Sequence, residues 1–264
     1  MKIDLSGKSA LVTGSTSGIG RAIARGLAAS GARVFVNGRK PASVDAAVSQ
    51  LKKELPEADI RPASGDVSNA AGCAAILKAV PSVDILVNNA GIFEPKDFSQ
   101  ITDNDWERFF QTNVMSGVRL SRGYMPAMLT RNWGRIIFIS SESALHIPKE
   151  MIHYGFTKTG QLAIARGLAE LTAGTAVTVN SVLPGPTRSD GVETFLEQVG
   201  KASGKSADQV AATFVKEHRS TSLLQRFATV DEVANMVVYV ASPQASATNG
   251  AALRVEGGIV RTIA

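Results

Sequence analysis

Residues 13–20 read Thr13-Gly14-Ser15-Thr16-Ser17-Gly18-Ile19-Gly20, between a short apolar run and a segment with the apolar spacing of a helix. Glycines at such a strand-to-helix turn allow a tight bend and let the backbone approach a pyrophosphate, whose charge lies at the helix N-terminus. The spacing is Gly-x-x-x-Gly-x-Gly, which differs from the Gly-x-Gly-x-x-Gly of the usual dinucleotide fingerprint. A tight turn without a ligand is the alternative. The position before a helix favours phosphate binding by Gly14, Ser15, Thr16, Ser17, Gly18, Ile19 and Gly20.

The rest of the chain repeats this alternation of strand and helix. Short β-branched or apolar runs occupy residues 9–14, 33–38, 60–66, 83–91, 134–141, 176–184 and 251–256. Segments with helical periodicity lie between them, the longest around 104–131 and 154–171, and Thr229 with Glu232 forms a capping-box pattern before the last one. Near-continuous apolar strands that alternate with helices indicate a parallel sheet covered on both faces. We therefore predict an α/β fold with a doubly wound parallel sheet of about seven strands.

No repeat, low-complexity tract or linker divides the 264 residues, so we expect one domain over residues 1–264. Residues 187–222 differ from the rest, because they follow a Pro-Gly-Pro turn and carry several glycines and polar residues. Apolar residues in this segment, such as Phe195, Leu196, Val199 and Val210, indicate two short helices. We interpret the segment as a lid-like insertion over the sheet edge, with a disordered loop as the alternative.

Composition excludes several classes of protein. Hydrophobic residues make up 44% and charged residues 19% of the chain, as in a globular protein with a sizeable core. The one cysteine, Cys73, excludes a disulfide framework and a multi-cysteine metal site, and we expect no metal. No apolar run approaches ~18 residues and no secretory signal is recognisable, so we expect a cytoplasmic protein that does not enter a membrane. The net charge of +5 is scattered, which argues against nucleic acid as a partner.

The end of the second predicted strand bears on the choice of nucleotide. The sequence there is Asn37-Gly38-Arg39-Lys40, where an NAD site would place a carboxylate against the ribose 2′-hydroxyl. A guanidinium in that place suits bidentate contact with a 2′-phosphate. We therefore expect NADP(H) as the preferred cofactor, bound in part by Arg39, with NAD(H) as the alternative. On the other interpretation, Arg39 and Lys40 only solvate a turn.

Tyr154 and Lys158 are the candidate acid–base pair. Their i, i+4 spacing puts them on one face of a helix. A phenol has a pKa of ~10, and a neighbouring ammonium stabilises the phenolate and lowers that pKa. Ser141 precedes Tyr154 by 13 residues and ends a predicted strand, where ligands of open α/β sheets bind. The same edge should receive Asn88-Asn89-Ala90-Gly91 and Pro184-Gly185-Pro186-Thr187, with Asn113 in the helix between two of these strands.

In this order and spacing the motifs resemble those of the short-chain dehydrogenase/reductase family, over essentially the whole chain. The matching elements are Thr13-Gly14-x-x-x-Gly18-Ile19-Gly20, Asp66-Val67, Asn88-Asn89-Ala90-Gly91, Asn113, Ser141, Tyr154-x-x-x-Lys158, Pro184-Gly185 and Val255-Glu256-Gly257-Gly258. The resemblance implies a Rossmann-type fold and hydride transfer between NADP(H) and a ketone or secondary alcohol. A non-catalytic NADP-binding regulatory protein on the same scaffold is the alternative, and such a protein would be expected to lose Tyr154, Lys158 or Ser141. A hydrolase is disfavoured, because no Gly-x-Ser-x-Gly elbow is present.

The resemblance also implies a role for each site residue. Tyr154 would exchange a proton with the substrate oxygen, Ser141 would hydrogen-bond that oxygen, and Lys158 would lower the pKa of Tyr154 and hold the ribose hydroxyls. Asn113 would hold a water that connects Lys158 to solvent. Further cofactor contacts would come from Asp66 and Val67 at the adenine, from Asn88, Ala90 and Gly91 along the ribose and pyrophosphate, and from Pro184, Gly185 and Thr187 at the nicotinamide. Candidates for the substrate pocket are Phe93, Glu94, Ile147, Met151 and Phe195.

The nearest general likeness is to 3-oxoacyl-(acyl-carrier-protein) reductases, but two departures leave an acyl carrier protein open as a partner. The segment between Pro184 and Thr229 is longer than those reductases usually carry. Residues 173–176 lack the usual basic docking residue, although Arg131 could still serve. A small-molecule carbonyl or alcohol substrate fits as well. The resemblance further implies a homotetramer or homodimer built partly from the two long helices and from residues 250–264.

Overall fold

The computed structural model describes residues 2–263 and centres on a parallel β-sheet. Its strands are β1 (Ser9–Val12), β2 (Arg33–Gly38), β3 (Ile60–Ser64), β4 (Ile85–Asn88), β5 (Gly134–Ile139), β6 (Val177–Pro184) and β9 (Ala252–Val255). They follow one another across the sheet in the order β3-β2-β1-β4-β5-β6-β9, and every neighbouring pair is parallel. The predicted seven-stranded sheet is confirmed.

Helices cover both faces of this sheet. They are α1 (Gly18–Ala29), α2 (Pro41–Glu54), α3 (Ala70–Ala79), α4 (Asp103–Phe109), α5 (Ser116–Thr130), α6 (Ile152–Glu170), α7 (Asp190–Ser203), α8 (Ala207–His218) and α9 (Val230–Ala241). Residues of α1, α2 and α9 belong to the apolar core on one face, and residues of α3, α5 and α6 to the core on the other. No helix within residues 2–263 is long and apolar enough to cross a membrane.

Burial on both faces explains the sequence pattern of the strands. Every residue of β5 and β6 is buried, so these strands require continuous apolar runs rather than the alternation of a half-exposed strand. The strand β2 has the predicted bounds, the other six strands are shorter than their predicted runs, and β4 ends at Asn88 although the run continues to Gly91. The residues beyond β4 leave the ladder, and Asn89 N donates to Val87 O within the same chain segment.

The order of the strands creates a crevice beside β1. The chain passes from β1 outward to β2 and β3 and then returns to the other side of β1 with β4. Such a reversal leaves an opening at the carboxyl ends of the two central strands, which is where ligands of open α/β sheets bind. The glycine-rich turn after β1 and residues 89–91 after β4 lie at this opening.

The predicted helix around 104–131 is not one α-helix. A π-helical segment, Phe110–Met115, separates α4 from α5. Asn113 lies in this segment, and its side chain is fixed from outside the helix: Nδ2 donates to Ile92 O at 3.0 Å, and Oδ1 accepts from Ile92 N at 2.8 Å. π-Helical turns occur frequently at functional sites, and spacing alone did not distinguish this one from an α-helix.

Residues 187–222 contain the two helices that their apolar spacing predicts, α7 and α8. They pack on each other through Leu196, Val210 and Ala211, a cluster separate from the two main cores. A short parallel pair that the sequence did not reveal, β7 (Thr187–Arg188) with β8 (Ala228–Thr229), joins the start of this segment to the residues before α9. The capping box at Thr229 and Glu232 is present as predicted.

Candidate active site

The glycine-rich turn is held by buried hydrogen bonds to its own strand and to β2. Ser15 Oγ donates to Val12 O at 2.7 Å, and Ser15 N donates to Asn37 O at 2.9 Å. The amide of Asn37 extends this network, because Nδ2 donates to Ala63 O at 2.8 Å while Oδ1 accepts from Gly14 N at 3.3 Å. Asn37 therefore ties the turn to β2 and β3. The sequence pattern at Asn37 indicates only that a carboxylate is lacking there, and it does not predict this structural role.

Asn89 supports the same turn from the other side. Its Nδ2 donates to Thr13 O at 2.9 Å and to Gly14 O at 3.0 Å. The backbone approach is so close that a Cβ on Gly20 would lie 2.3 Å from Gly14 O and 2.5 Å from Asn89 Nδ2. Only glycine fits there. Asn89 was quoted as part of a motif without a role of its own, and the structure identifies it as an anchor of the turn.

The turn presents backbone N–H groups to the crevice, as a phosphate site requires. Helix α1 begins at Gly18, whose φ of 55° suits glycine, and the first N–H groups of a helix have no acceptor within it. One of them already binds a carboxylate, since Gly18 N donates to Asp190 Oδ2 at 3.1 Å. The first turn of α1 contains no acidic residue. An anionic diphosphate therefore fits this turn by charge and by backbone geometry.

Arg39 follows β2, next to Gly38, which packs against the turn. Arg39 and Lys40 are exposed and make no ion pair with any residue in the range 2–263. Gly38 packs against the turn, because a Cβ there would lie 2.7 Å from Thr16 Cγ2. A guanidinium free of protein partners at this place suits a ligand phosphate.

The residues predicted at the adenine have local partners in the structure. Asp66 Oδ1 accepts from Ser68 N at 3.0 Å. The side chain of Val67 is buried in the apolar core, and its carbonyl accepts from Cys73 Sγ at 3.4 Å. Contacts from Val67 to a ligand would therefore be made by its backbone.

Residues 88–91 extend the crevice from the turn to α6. The side chain of Asn88 lies against α5, where Nδ2 donates to Ser121 Oγ at 3.1 Å, whereas Ala90 lies at the turn, its Cα 3.0 Å from the place of a Cβ on Gly14. At Gly91, a Cβ would lie 3.5 Å from Lys158 Nζ and 3.4 Å from Asn113 Oδ1. The backbone of Gly91 therefore lies directly beside the side chains of Lys158 and Asn113.

Lys158 is buried and held by acceptors from two elements. Its Nζ donates to Ile139 O at 2.8 Å and to Gln161 Oε1 at 3.3 Å, and burial lowers the pKa of Lys158 to about 7. Gln161, which the sequence analysis missed, also donates from Nε2 to Asn113 O at 2.6 Å. The Gln161 side chain thus joins Lys158 to the Asn113 carbonyl, and the water that Asn113 is expected to hold between Lys158 and solvent stays a prediction.

Tyr154 lies on the same face of α6 as Lys158, as predicted, with Lys158 Nζ 5.6 Å from the centre of its ring. The pKa of Tyr154 lies above its usual value, because burial and the charge of Glu142 oppose the phenolate more than Ser141 and Arg219 favour it. Lys158 is not among these causes, so its expected effect on the pKa of Tyr154 stays a prediction. Burial also lowers the pKa of Lys158, so its ammonium group loses its proton more readily than that of an exposed lysine.

The predicted nicotinamide residues lie between β6 and β9. Gly185 N donates to Val255 O at 3.1 Å, and Thr187 Oγ1 donates to Gly185 O at 2.9 Å. A Cβ on Gly185 would lie 2.8 Å from Glu256 O, so the chain passes close to the end of β9. Pro184 is the last residue of β6. These contacts bring the end of β6 to the crevice that already contains Tyr154.

A cavity of about 610 Å³ opens beside Tyr154 and extends under α7 and α8. Its walls are mostly apolar side chains, namely Phe93, Met151, Val192, Phe195, Val199, Val210, Phe214 and Phe227.

Three of the five predicted pocket residues, Phe93, Met151 and Phe195, line this cavity. The prediction is wrong for Glu94 and Ile147, and Glu94 instead binds Arg108 at 2.7 Å on the outer surface. Five charged residues without a sequence prediction also line it: the buried Glu142 and Arg219, and Glu150, Lys205 and Glu217.

No metal centre accompanies this site in the described part of the chain: no group of three His, Cys, Asp or Glu residues between 2 and 263 could hold an ion. Of the histidines near the site, His153 is fully buried, with its ring centre 4.0 Å from that of Phe109. Burial lowers the pKa of His153, so its ring stays neutral near pH 7.

The chain is similar to known proteins in three separate comparisons, by family model, by sequence and by structure. A family model described as short chain dehydrogenase matches residues 8–200. An uncharacterized oxidoreductase of Bacillus subtilis is 50% identical over 263 residues, with complete coverage of both chains. A 3-oxoacyl-(acyl-carrier-protein) reductase of Aquifex aeolicus is 31% identical and covers 98% of this chain and 100% of its own. The structure of an L-sorbose reductase from Gluconobacter frateurii, solved with NADPH and L-sorbose, superposes with a TM-score of 0.94 over 100% of both chains at 30% identity.

Proposed function

This chain belongs to the short-chain dehydrogenase family, and from that premise we propose that it is an NADP(H)-dependent enzyme that interconverts a ketone and a secondary alcohol. The observation that carries the proposal is the meeting of Tyr154 and Lys158 with Gly91 and the end of β5 at one crevice. That crevice connects a turn suited to a diphosphate with a cavity large enough for a small molecule.

The bound cofactor supplies the hydride for the carbonyl carbon. Tyr154 donates a proton to the carbonyl oxygen in reduction and takes it back in oxidation, which balances the hydride at carbon. Ser141 hydrogen-bonds the same oxygen and stabilises the charge that develops on it. Lys158 holds the ribose hydroxyls, and Asn113 fixes the π-helical segment whose carbonyl is joined to Lys158 through Gln161.

The remaining contacts with the cofactor follow the crevice. The diphosphate would be held by Gly14, Ser15, Thr16, Ser17, Gly18, Ile19 and Gly20, and the adenine would contact Asp66 and Val67. The path between ribose and diphosphate would be lined by Asn88, Ala90 and Gly91, and the nicotinamide would be positioned by Pro184, Gly185 and Thr187. Arg39 receives the 2′-phosphate. Its unpaired guanidinium supports NADP(H), as does the NADPH of the similar L-sorbose reductase, and NAD(H) is the weaker alternative.

We also propose one domain over residues 1–264, in which residues 187–222 act as a lid over the cavity. The mostly apolar walls favour a small or medium ketone without strong charge, and an acyl carrier protein remains open as a partner. Exposed apolar residues on α6 and the π-helical segment, Phe156 and Phe110, support a homodimer or homotetramer. A cytoplasmic location rests on the sequence argument.

Titration of the protein with NADPH and NADH, followed by a ketone panel monitored by loss of reduced cofactor, tests the proposal. We expect tight NADPH binding, weaker NADH binding and turnover of at least one ketone. Tight NADH and weak NADPH would overturn the choice of cofactor. Tight binding without turnover of any ketone or alcohol would favour the non-catalytic regulatory protein.

A further inference from the structure

One buried ion pair that lines the cavity has no place in the proposed chemistry. Arg219 Nε donates to Glu142 Oε1 at 2.9 Å, and the two side chains are only 6% and 5% exposed. Arg219 Nη1 also donates to His218 O at 2.8 Å. Removal of two charges from water is costly, and buried ion pairs contribute little to stability on balance. A pair of this kind in an active-site wall therefore suggests a role in the site.

The second oxygen of Glu142 holds the Ser141 hydroxyl. Ser141 Oγ donates to Glu142 Oε2 at 2.6 Å and accepts from Ser143 N at 3.1 Å. A serine hydroxyl has one proton and two lone pairs, so these bonds leave a single lone pair free. Ser141 can therefore donate to a bound carbonyl oxygen only when its proton turns away from Glu142.

Arg219 connects this carboxylate to the segment over the cavity. It follows α8 directly, and its guanidinium carbon lies 6.0 Å from the ring centre of Phe214, which lines the same cavity. Glu142 lies in a short 3-10 turn, Glu142–Ala144, just beyond the carboxyl end of β5. The Glu142–Arg219 pair is thus a direct polar link between the sheet and residues 187–222.

We propose that Glu142 and Arg219 are positioning residues for the reaction: Glu142 holds the hydroxyl of Ser141 in place until its proton turns to the substrate oxygen, and Arg219 fixes Glu142 from the segment after α8. This inference rests on the proposed function, because it assigns Ser141 and Tyr154 to the chemistry. It makes the orientation of Ser141 depend on the placement of residues 187–222 over the cavity.

The pair also acts on Tyr154 through its charges. The carboxylate of Glu142 raises the pKa of Tyr154 and the guanidinium of Arg219 lowers it. The other charged or titratable groups around this cavity are Lys158 on α6, Glu150 before α6, with Oε1 3.8 Å from Arg219 Nη1, Lys205 between α7 and α8, and Glu217 and His218 at the end of α8. Loss of either member of the pair should therefore move the ionisation of Tyr154, and the two losses should move it in opposite directions.

The test measures alcohol oxidation against pH for Glu142→Gln, Arg219→Gln and the double variant. Oxidation requires Tyr154 to accept a proton, so its rate rises as pH passes the pKa of Tyr154. Because burial and Glu142 hold that pKa above its usual value, the assay follows the ascending limb of the profile, which should move to lower pH in Glu142→Gln, to higher pH in Arg219→Gln and back towards its original place in the double variant. Glu170→Gln, which removes a carboxylate paired with Arg166 on the outer surface, should leave the profile unchanged.

Stability and NADPH affinity are measured for each variant, because one unpaired buried charge can unfold the protein. Should a single variant not fold, Arg219→Lys and the double variant carry the test, and both should lose roughly tenfold in kcat at unchanged NADPH affinity. Wild-type kcat in those two variants, or shifts of the same sign in the folded single variants, would overturn the inference. The proposed function would survive that result, provided that Tyr154→Phe abolishes turnover.

Discussion

The glycine-rich turn and the α7–α8 pair form opposite walls of one crevice, and they are held together in different ways. The turn is fixed by buried hydrogen bonds between backbone groups and two amides, Asn37 and Asn89. The α7–α8 pair has a small apolar cluster of its own and exposed ion pairs, such as Arg188 with Glu193 and with Asp208 at 2.6 Å. Exposed ion pairs contribute little to stability. We therefore expect the turn, the nucleotide wall, to be more rigid than the α7–α8 pair, the substrate wall, although the buried Glu142–Arg219 pair also ties the end of α8 to the residues after β5.

Amide hydrogen exchange should show this contrast most strongly. Amides of β5 and β6 open only with the whole fold, because both faces of these strands are buried. Exchange of the amides in α7 and α8 requires only that the apolar cluster around Leu196 opens. We expect protection factors in the strands to exceed those in α7 and α8 by on the order of 10³ or more. Equal protection in the two regions would mean that residues 187–222 are not a lid.

Tyr154 lies where the two walls meet, and its hydroxyl should carry the next largest effect. Tyr154→Phe removes the proton donor but keeps the ring that packs edge-on to Phe93 with ring centres 6.4 Å apart. We expect turnover to fall by roughly 10²–10⁴-fold, the contribution typical of a general acid. NADPH affinity, measured by titration, should change little. Turnover within a factor of two of the wild type would remove Tyr154 from the mechanism.

Arg39 tests the nucleotide wall alone. Arg39→Ala should weaken NADPH binding by about 1.5–3 kcal/mol, the range for a hydrogen bond to a charged group, and should leave NADH binding unchanged. Arg122→Ala, which removes another exposed arginine on α5, is the matched control and should affect neither cofactor. An equal loss for NADPH and NADH in Arg39→Ala would show that this side chain does not distinguish the two.

The two walls also differ in how far the sequence predicted them. The turn, the strand ends and the Tyr154–Lys158 face follow from local spacing, since a strand, a glycine turn and a helix put their residues in fixed relative places. The structural roles of Asn37 and Asn89 could not be predicted from the sequence, because the groups that they bind lie on or beside other strands. In the same way, the π-helical segment depends on Ile92 and Gln161, which lie far from Asn113 in sequence.

On the substrate wall the sequence indicated helices but not their neighbours. Phe195 was predicted to line the pocket and does, whereas Ile147 was predicted there and lies outside it. Helical spacing gives the apolar face of a helix but not the place at which that face docks. The Glu142–Arg219 pair shows the same difficulty, because it joins residues 77 positions apart that no motif links.

Asp190 makes a direct hydrogen bond between the substrate wall and the nucleotide wall, and its effect should be the smallest. Its carboxylate accepts from Gly18 N, at the N-terminus of α1 where the proposed diphosphate binds. The cofactor must displace this carboxylate or approach it against charge repulsion. Asp190→Asn keeps an acceptor for Gly18 N and removes the charge, so NADPH should bind more tightly by about 0.3–1 kcal/mol, roughly two- to fivefold.

Glu193→Gln is the matched control for Asp190→Asn, because it removes the same charge from α7 but has its contact with Arg188 rather than with the turn. NADPH titrations at low and high salt should show a gain for Asp190→Asn alone, and the gain should shrink as salt screens the exposed carboxylate. The same gain in both variants would assign the effect to the overall charge of α7. Weaker binding in Asp190→Asn would mean that the carboxylate supports the turn instead of competing for it, and the two walls would then cooperate in holding the nucleotide.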